Sequence, residues 1–141
     1  MTGAATVRID MRSAWREALL AISGLPEQWA WEGHPFTPIV GVAFARESFR
    51  PIFSRVAALG AGGTIAHRFM GGLTVIYPAS AGVLAAETAA GLAVAALRPG
   101  RALTRGTCSG VITEASSAAV IVEPAWLTVP VNITLTAYTV N

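Results

Sequence analysis

Residues 127–136 read Leu127-Thr128-Val129-Pro130-Val131-Asn132-Ile133-Thr134-Leu135-Thr136. Apolar and polar positions alternate without a break. A period of two belongs to a β-strand, whose successive side chains point to opposite faces of a sheet. Leu127, Val129, Val131, Ile133 and Leu135 make one face suited to a core. Thr128, Pro130, Asn132, Thr134 and Thr136 make a wetter face. The strand is expected to run on to Val140. Pro130 has no N–H, which favours an edge or a strand start. Asn132-Ile133-Thr134 fits a glycosylation sequon but is read as strand sequence.

Upstream, Thr64 to Tyr77 reads as a second long strand, with a kink expected at Gly71-Gly72 and a stop at Pro78. Ala81 to Leu97 reads as an Ala-rich helix, stopped by Pro99-Gly100. Ala79 to Leu97 is the only membrane-like stretch, and Glu87 sits in its middle. A charge at the bilayer centre costs roughly 3 kcal/mol on insertion scales, which alanines offset poorly. A buried, tightly packed helix is the better reading. Further strands are expected near Leu103–Thr113 and Ala118–Val122.

Near the start, Val7, Met11, Ala14, Trp15, Ala18 and Ile22 fall at helical spacing, within a helix from Thr6 to Ile22. Gly24 and Pro26 end it. Gln28 to Glu32 reads as a short strand with Trp29 and Trp31 on one face. Gly33 to Pro38 reads as a fixed turn or arm. Ile39 to Ala45 alternates like a strand. Arg46 to Arg55 mixes Arg, Phe, Pro and Glu and fits no element cleanly. Gly60-Ala61-Gly62-Gly63 is a flexible turn. The order implies an α+β fold: a largely antiparallel or mixed β-sheet with two helices packed on one face. A single domain over residues 1–141 suits the length.

Composition narrows the chemistry. Hydrophobic residues make up 53% and charged residues 13%, against about one-quarter charged in an ordinary soluble domain. Mean hydropathy is +0.55. All 10 basic residues are Arg, so P-loop and Schiff-base lysine chemistry is excluded. A net charge of +2 is far from the density of a dedicated nucleic-acid binder. The first ten residues lack a signal peptide's apolar core. A single cysteine, Cys108, can form neither an internal disulfide nor a zinc cage.

Gly106-Thr107-Cys108-Ser109-Gly110 matches the G-x-S-x-G nucleophile elbow with Cys as nucleophile. The elbow needs a strand-to-helix turn, whereas Val111-Ile112-Thr113 look like more strand. Both histidines, His34 and His67, precede Cys108, the wrong order for that family. The Gly60–Gly63 run lacks the third glycine of a dinucleotide loop, and a strand follows it. No spacing of His34, His67, Cys108 and carboxylates makes a ligand pair, and the carboxylates are scattered. No catalytic residue, metal site or cofactor is therefore expected.

Arginine forms two sets. Arg8, Arg12 and Arg16 recur every four residues on the first helix and read as a solvated face partly neutralised by Asp10 and Glu17. Arg46, Arg50 and Arg55 interleave with Phe44, Phe49 and Phe53. Arg with aromatics is the composition of interface hot spots. With Trp31, His34 and Phe36, the residues Arg46, Phe49, Arg50, Phe53 and Arg55 form the expected interface.

The order of landmarks resembles the tail-terminator (tail-completion) family of long non-contractile phage tails and gene-transfer particles. The resemblance runs from Trp15 to Asn141. It rests on Ala30-Trp31-Glu32, then Pro35-Phe36-Thr37-Pro38 and the strand after it. It continues with Arg68, Gly71-Gly72-Leu73-Thr74-Val75, Tyr77-Pro78, the Ala-rich helix, and Trp126 before Val129-Pro130-Val131. The departures are a short amino-terminal helix region and the insertion-like Arg46–Arg55 segment. The resemblance implies an α+β structural virion protein made in the host cytoplasm. It implies a homo-oligomeric, hexameric ring that caps the tail tube protein, ends tube growth and joins the neck or connector protein. DNA is expected only as cargo through the ring lumen, and no membrane is involved. The alternatives are another neck or tail component, such as a head–tail connector or tube subunit, and a small Cys-dependent hydrolase.

Overall fold

The computed structural model describes residues 5–60 and 63–140. Two strands of equal length organise it, β3 (Thr64–Pro78) and β7 (Trp126–Val140). They pair antiparallel from Thr64↔Val140 to Pro78↔Trp126 without a register shift. The other elements are α1 (Val7–Leu20), β1 (Gln28–Ala30), β2 (Phe44–Val56), α2 (Val83–Ala96), β4 (Ala102–Arg105), β5 (Cys108–Ser117) and β6 (Ile121–Val122). A short 3₁₀ turn, Ala79–Ala81, leads into α2. The sheet order is β1-β2-β3-β7-β5-β4, with β6 also paired to β7. Among the described residues only the β1–β2 pairing is parallel. The fold is α+β, with both helices on one face of the sheet, as the sequence implied.

That face carries the alternating apolar set. Phe69, Leu73 and Val75 of β3 are buried beside Val129, Val131, Ile133 and Leu135 of β7. The stripe Val7, Met11, Ala14, Trp15 and Ala18 of α1 is buried against them, and Ile22 is half-buried beyond the helix end. α2 turns Ala86, Ala89, Ala90 and Ala93 inward. Small side chains let this helix lie close to the sheet. Among the described residues, no helix is long and apolar enough to cross a membrane.

Several expectations need correction. Ile39 to Ala45 is not a strand. Only Phe44 and Ala45 enter β2, and the preceding residues turn. Val42 N–H donates to Ile39 O at 3.1 Å, and Gly41 has φ +79°. That is a type II turn, which requires a positive φ at its third position. The Arg46–Arg55 segment is no insertion; it lies wholly within β2. Pro51 and the register shift between Pro51 and Phe53 hid its alternation. Pro is tolerated there because β1 covers only Phe44 to Arg46, leaving an open edge.

Gly71-Gly72 makes no break in pairing on either side. The reason for Gly71 is space. A Cβ there would lie 2.9 Å from the Trp15 ring. Leu103 to Thr113 is a hairpin rather than one strand, with Arg105 paired to Cys108. Gly106 has φ +59° at the first central position, the type II′ arrangement. Pro130 is neither at an edge nor at a strand start. It sits in central β7, opposite Thr74. On its other side it falls between the segments of β7 that pair with β6 and β5, where Ala118 N–H donates to Pro130 O at 2.9 Å. No ladder bond needs the missing N–H. The turn expected at Gly60–Gly63 lies partly outside the described residues.

His67 is buried, with Nδ1 2.7 Å from Ser54 Oγ and Nε2 2.7 Å from Thr139 Oγ1. Burial lowers its pKa below 6.5. The folded chain then binds this proton less readily than the unfolded chain does. The contribution of His67 is present above pH 6.5 and lost as pH falls through the lowered value. Urea unfolding at stepped pH should give falling stability on acidification from neutrality, and His67→Gln should flatten that slope.

Gly71→Ala should cost about 1–3 kcal/mol through overpacking against Trp15. Gly91→Ala, on an open helix face where a Cβ meets nothing within 4 Å, should instead gain about 0.5–1 kcal/mol. Denaturant midpoints check both signs.

Candidate assembly surfaces

The chain's arginines divide into those that hold the subunit together and those that do not. Arg12 and Arg16 leave the solvent and reach across to β2 and the segment after β1, which corrects the solvated-face reading. Arg12 Nη1 meets Glu32 Oε1 at 2.7 Å, and its Nη2 donates to Phe49 O at 2.6 Å. Arg16 Nε meets Glu47 Oε1 at 2.8 Å, and its Nη2 donates to Glu32 O at 3.1 Å. The Glu47 side chain is 0% exposed, with Arg12 3.9 Å from its second oxygen. The guanidinium of Arg12 lies over the Phe49 ring and that of Arg16 over Trp31. Glu17, expected to neutralise this row, faces Arg105 at 3.4 Å in an exposed pair, which contributes little. The partners Glu32 and Glu47 are distant in sequence, so helical spacing gave no signal for them.

The expected interface residues fall into three groups. Phe49 is 1% exposed and stacks on Phe69 in the core, so its ring is occupied inside the subunit. Trp31, His34, Phe36 and Arg46 come together along a groove of about 450 Å³ beside the open part of β2. Trp31 stacks on Trp29 with ring centroids 4.7 Å apart. Phe36 folds onto Phe44, which meets Trp126 edge-on at 5.4 Å. The Gly33–Pro38 arm thus closes one end of the sheet's helix-free face. Arg50, Phe53 and Arg55 share that face, by alternation and by the register Arg50↔Met70 and Phe53↔Arg68.

Sequence reasoning missed the apolar prominences. Val40, at the tip of the type II turn, is 93% exposed, and Leu59 is 90% exposed. Leu84 and Leu92 face outward on α2. These are single exposed apolar residues, two on turns and two on α2. The Cys108 segment lies on the β4–β5 hairpin, without the strand-to-helix turn an elbow requires. Among the described residues no three His, Cys, Asp or Glu side chains gather as a metal site.

A family model described as a phage tail terminator protein matches residues 10–134. A solved structure 24% identical in sequence superposes with a TM-score of 0.69, over 90% of this chain and 92% of that one. At that identity the likeness speaks for the fold alone. A search of curated proteins gave no match.

Arg16→Ala should destabilise the subunit by about 3 kcal/mol, the lower end for breaking a buried ion pair, because Arg12 stays near Glu47. Arg16→Ala combined with Glu47→Leu should recover much of that loss. Arg8→Ala, on the exposed side of α1, should stay within about 0.5 kcal/mol of the parent. Equilibrium unfolding of the four proteins checks the pattern.

Proposed function

The chain belongs to the phage tail terminator family, and from that premise we propose that it forms a closed ring on the end of the tail tube. Family membership makes it a structural component of a phage tail. The further reading is that six copies close a ring, one face of which stops tube growth while the other meets the neck or connector protein. DNA passes through the lumen as cargo. The chemistry is associative throughout.

The observation that carries this reading is the exposed apolar turn Ile39–Val42, beside the groove of Trp31, His34, Phe36 and Arg46. A free monomer would keep that turn in water at a cost in solubility. A heterologous contact buries it at each of the repeated joints, and rotation closes the ring. The open edge of β2 argues for joints made by side chains rather than by a shared strand ladder. Pro51 and the adjoining bulge oppose added strands there.

Light scattering of the purified chain, alone and with tube protein, tests the ring. The expected result is a discrete oligomer whose joints each bury more than about 2,000 Å² in total. Val40→Asp should shift it toward monomer without lowering the unfolding midpoint of the monomer. A wild-type monomer under both conditions would contradict the proposal.

A further inference from the structure

Four arginines share the helix-free face of the sheet. Arg46, Arg50 and Arg55 lie on β2 and Arg68 on β3, placed there by alternation and by the register of the β2–β3 ladder. None makes an ion pair among the described residues, where the pairs are those of Arg12, Arg16 and Arg105. We propose that this face binds the phosphate backbone of nucleic acid through these four side chains.

Two observations beyond charge point to an anionic ligand. Arg55 and Arg68 share one ring, their guanidinium carbons 4.1 and 5.2 Å from the centroid of Phe53. Two cations are held on one aromatic with no carboxylate between them. Second, Arg68 Nε is buried without a hydrogen-bond partner, and so is Oγ1 of Thr136, its register neighbour on β7. Thr136 is 9% exposed. Buried donors without acceptors are costly unless something supplies them.

The surroundings favour phosphate over a protein surface. Phe49 faces the core, which leaves Phe53 as the ring interleaved with Arg50 and Arg55 on this face. Around Arg46 and Arg50 stand Ser48, Thr74, Asn132 and Thr134, together with Met70, whose Sδ accepts from Arg50 Nη2 at 3.3 Å. Arg with hydroxyl and amide donors is the usual set for phosphate oxygens. Gly72 keeps the relief low. Arg46 and Arg50 stand about 13 Å apart along the strand, beyond the Debye length of about 8 Å at physiological salt. The free protein therefore tolerates that pair, while Arg55 and Arg68 lie nearer one another on the Phe53 ring. The carboxylates at the borders are Glu114 on β5 and Glu32 and Glu123, each of which shares a groove with Arg46. The inference does not need a ring. Its consequence for the assembly, that this face borders the lumen, rests on the ring proposed above.

The test is fluorescence anisotropy of a short labelled DNA duplex with the full chain, over a salt series. Binding should be weak, with Kd of roughly 10⁻⁴–10⁻⁶ M at physiological salt, and should steepen as salt is removed. Arg50→Gln with Arg55→Gln should make the log–log salt slope shallower by about 1.8, or 0.9 per lost contact. Arg50→Lys should retain most of the binding, and Arg98→Ala, outside this face, should leave it unchanged. Thermal melts confirm that each variant is folded. The proposal is overturned by a duplex that is not bound at low salt, by equal weakening in Arg98→Ala, or by an unchanged slope in the double variant. It is also overturned if polyglutamate of matched charge displaces the duplex as well as unlabelled DNA does, which assigns the face to an acidic protein. Light scattering of the same samples reports the ring separately.

Discussion

The ladder between β3 and β7 is the constraint on which the rest depends. Fifteen residue pairs run in one register without a bulge. A one-residue slip would send every core side chain to the opposite face, so burial of one face fixes the whole arrangement. Each large side chain that α1 and α2 cover contributes about 1.5–3 kcal/mol. The helices therefore collect on the apolar face, and Gly71 lets Trp15 reach the backbone there. The other face carries no helix among the described residues, and mixes polar side chains with the Phe44 and Phe53 rings.

Once the faces are set, the sign and position of each charge acquire a meaning. Arg12 and Arg16 are drawn to Glu32 and Glu47, joining α1 to β2 where no strand covers its edge. Glu47 sits on the core side by strict alternation with Arg46. A buried carboxylate there would be severely unfavourable without its guanidinium partners. The same alternation places Arg46 and Arg50 on the far side, and the bulge after Pro51 brings Arg55 there as well. Low overall charge thus conceals two functions for arginine, one internal to the subunit and one directed outward.

Periodicity made β7 and α1 readable, and alanine content with the Pro99-Gly100 stop made α2 so. Val129, Val131 and Ile133 alternate over enough residues to exclude a helix, and the α1 stripe follows the 3.6 repeat. What stayed hidden depended on tertiary context. β2 escaped because its bulge at Pro51 shifts the alternation by one position. Ile39–Val42 looked like a strand because the turn-forming glycine is flanked by β-branched residues. Pro130 was misplaced because a gap between two neighbouring strands cannot be seen from one strand. The arginine partners were invisible because Glu32 and Glu47 approach α1 only after β2 has docked. The Trp31–Pro38 segment and the order of landmarks did carry the family. They could not separate Phe49, which faces inward, from its exposed neighbours.

The ring proposed for this two-faced subunit sits at one end of a tail tube. Electron cryomicroscopy of particles carrying a tagged copy of the chain tests it most directly. One ring of density per particle is expected, at the tube end nearest the capsid. Its joints should be lined by the Ile39–Val42 turn, and the helix-free face of β2 and β3 should border the lumen. Density repeating along the length of the tube would contradict it.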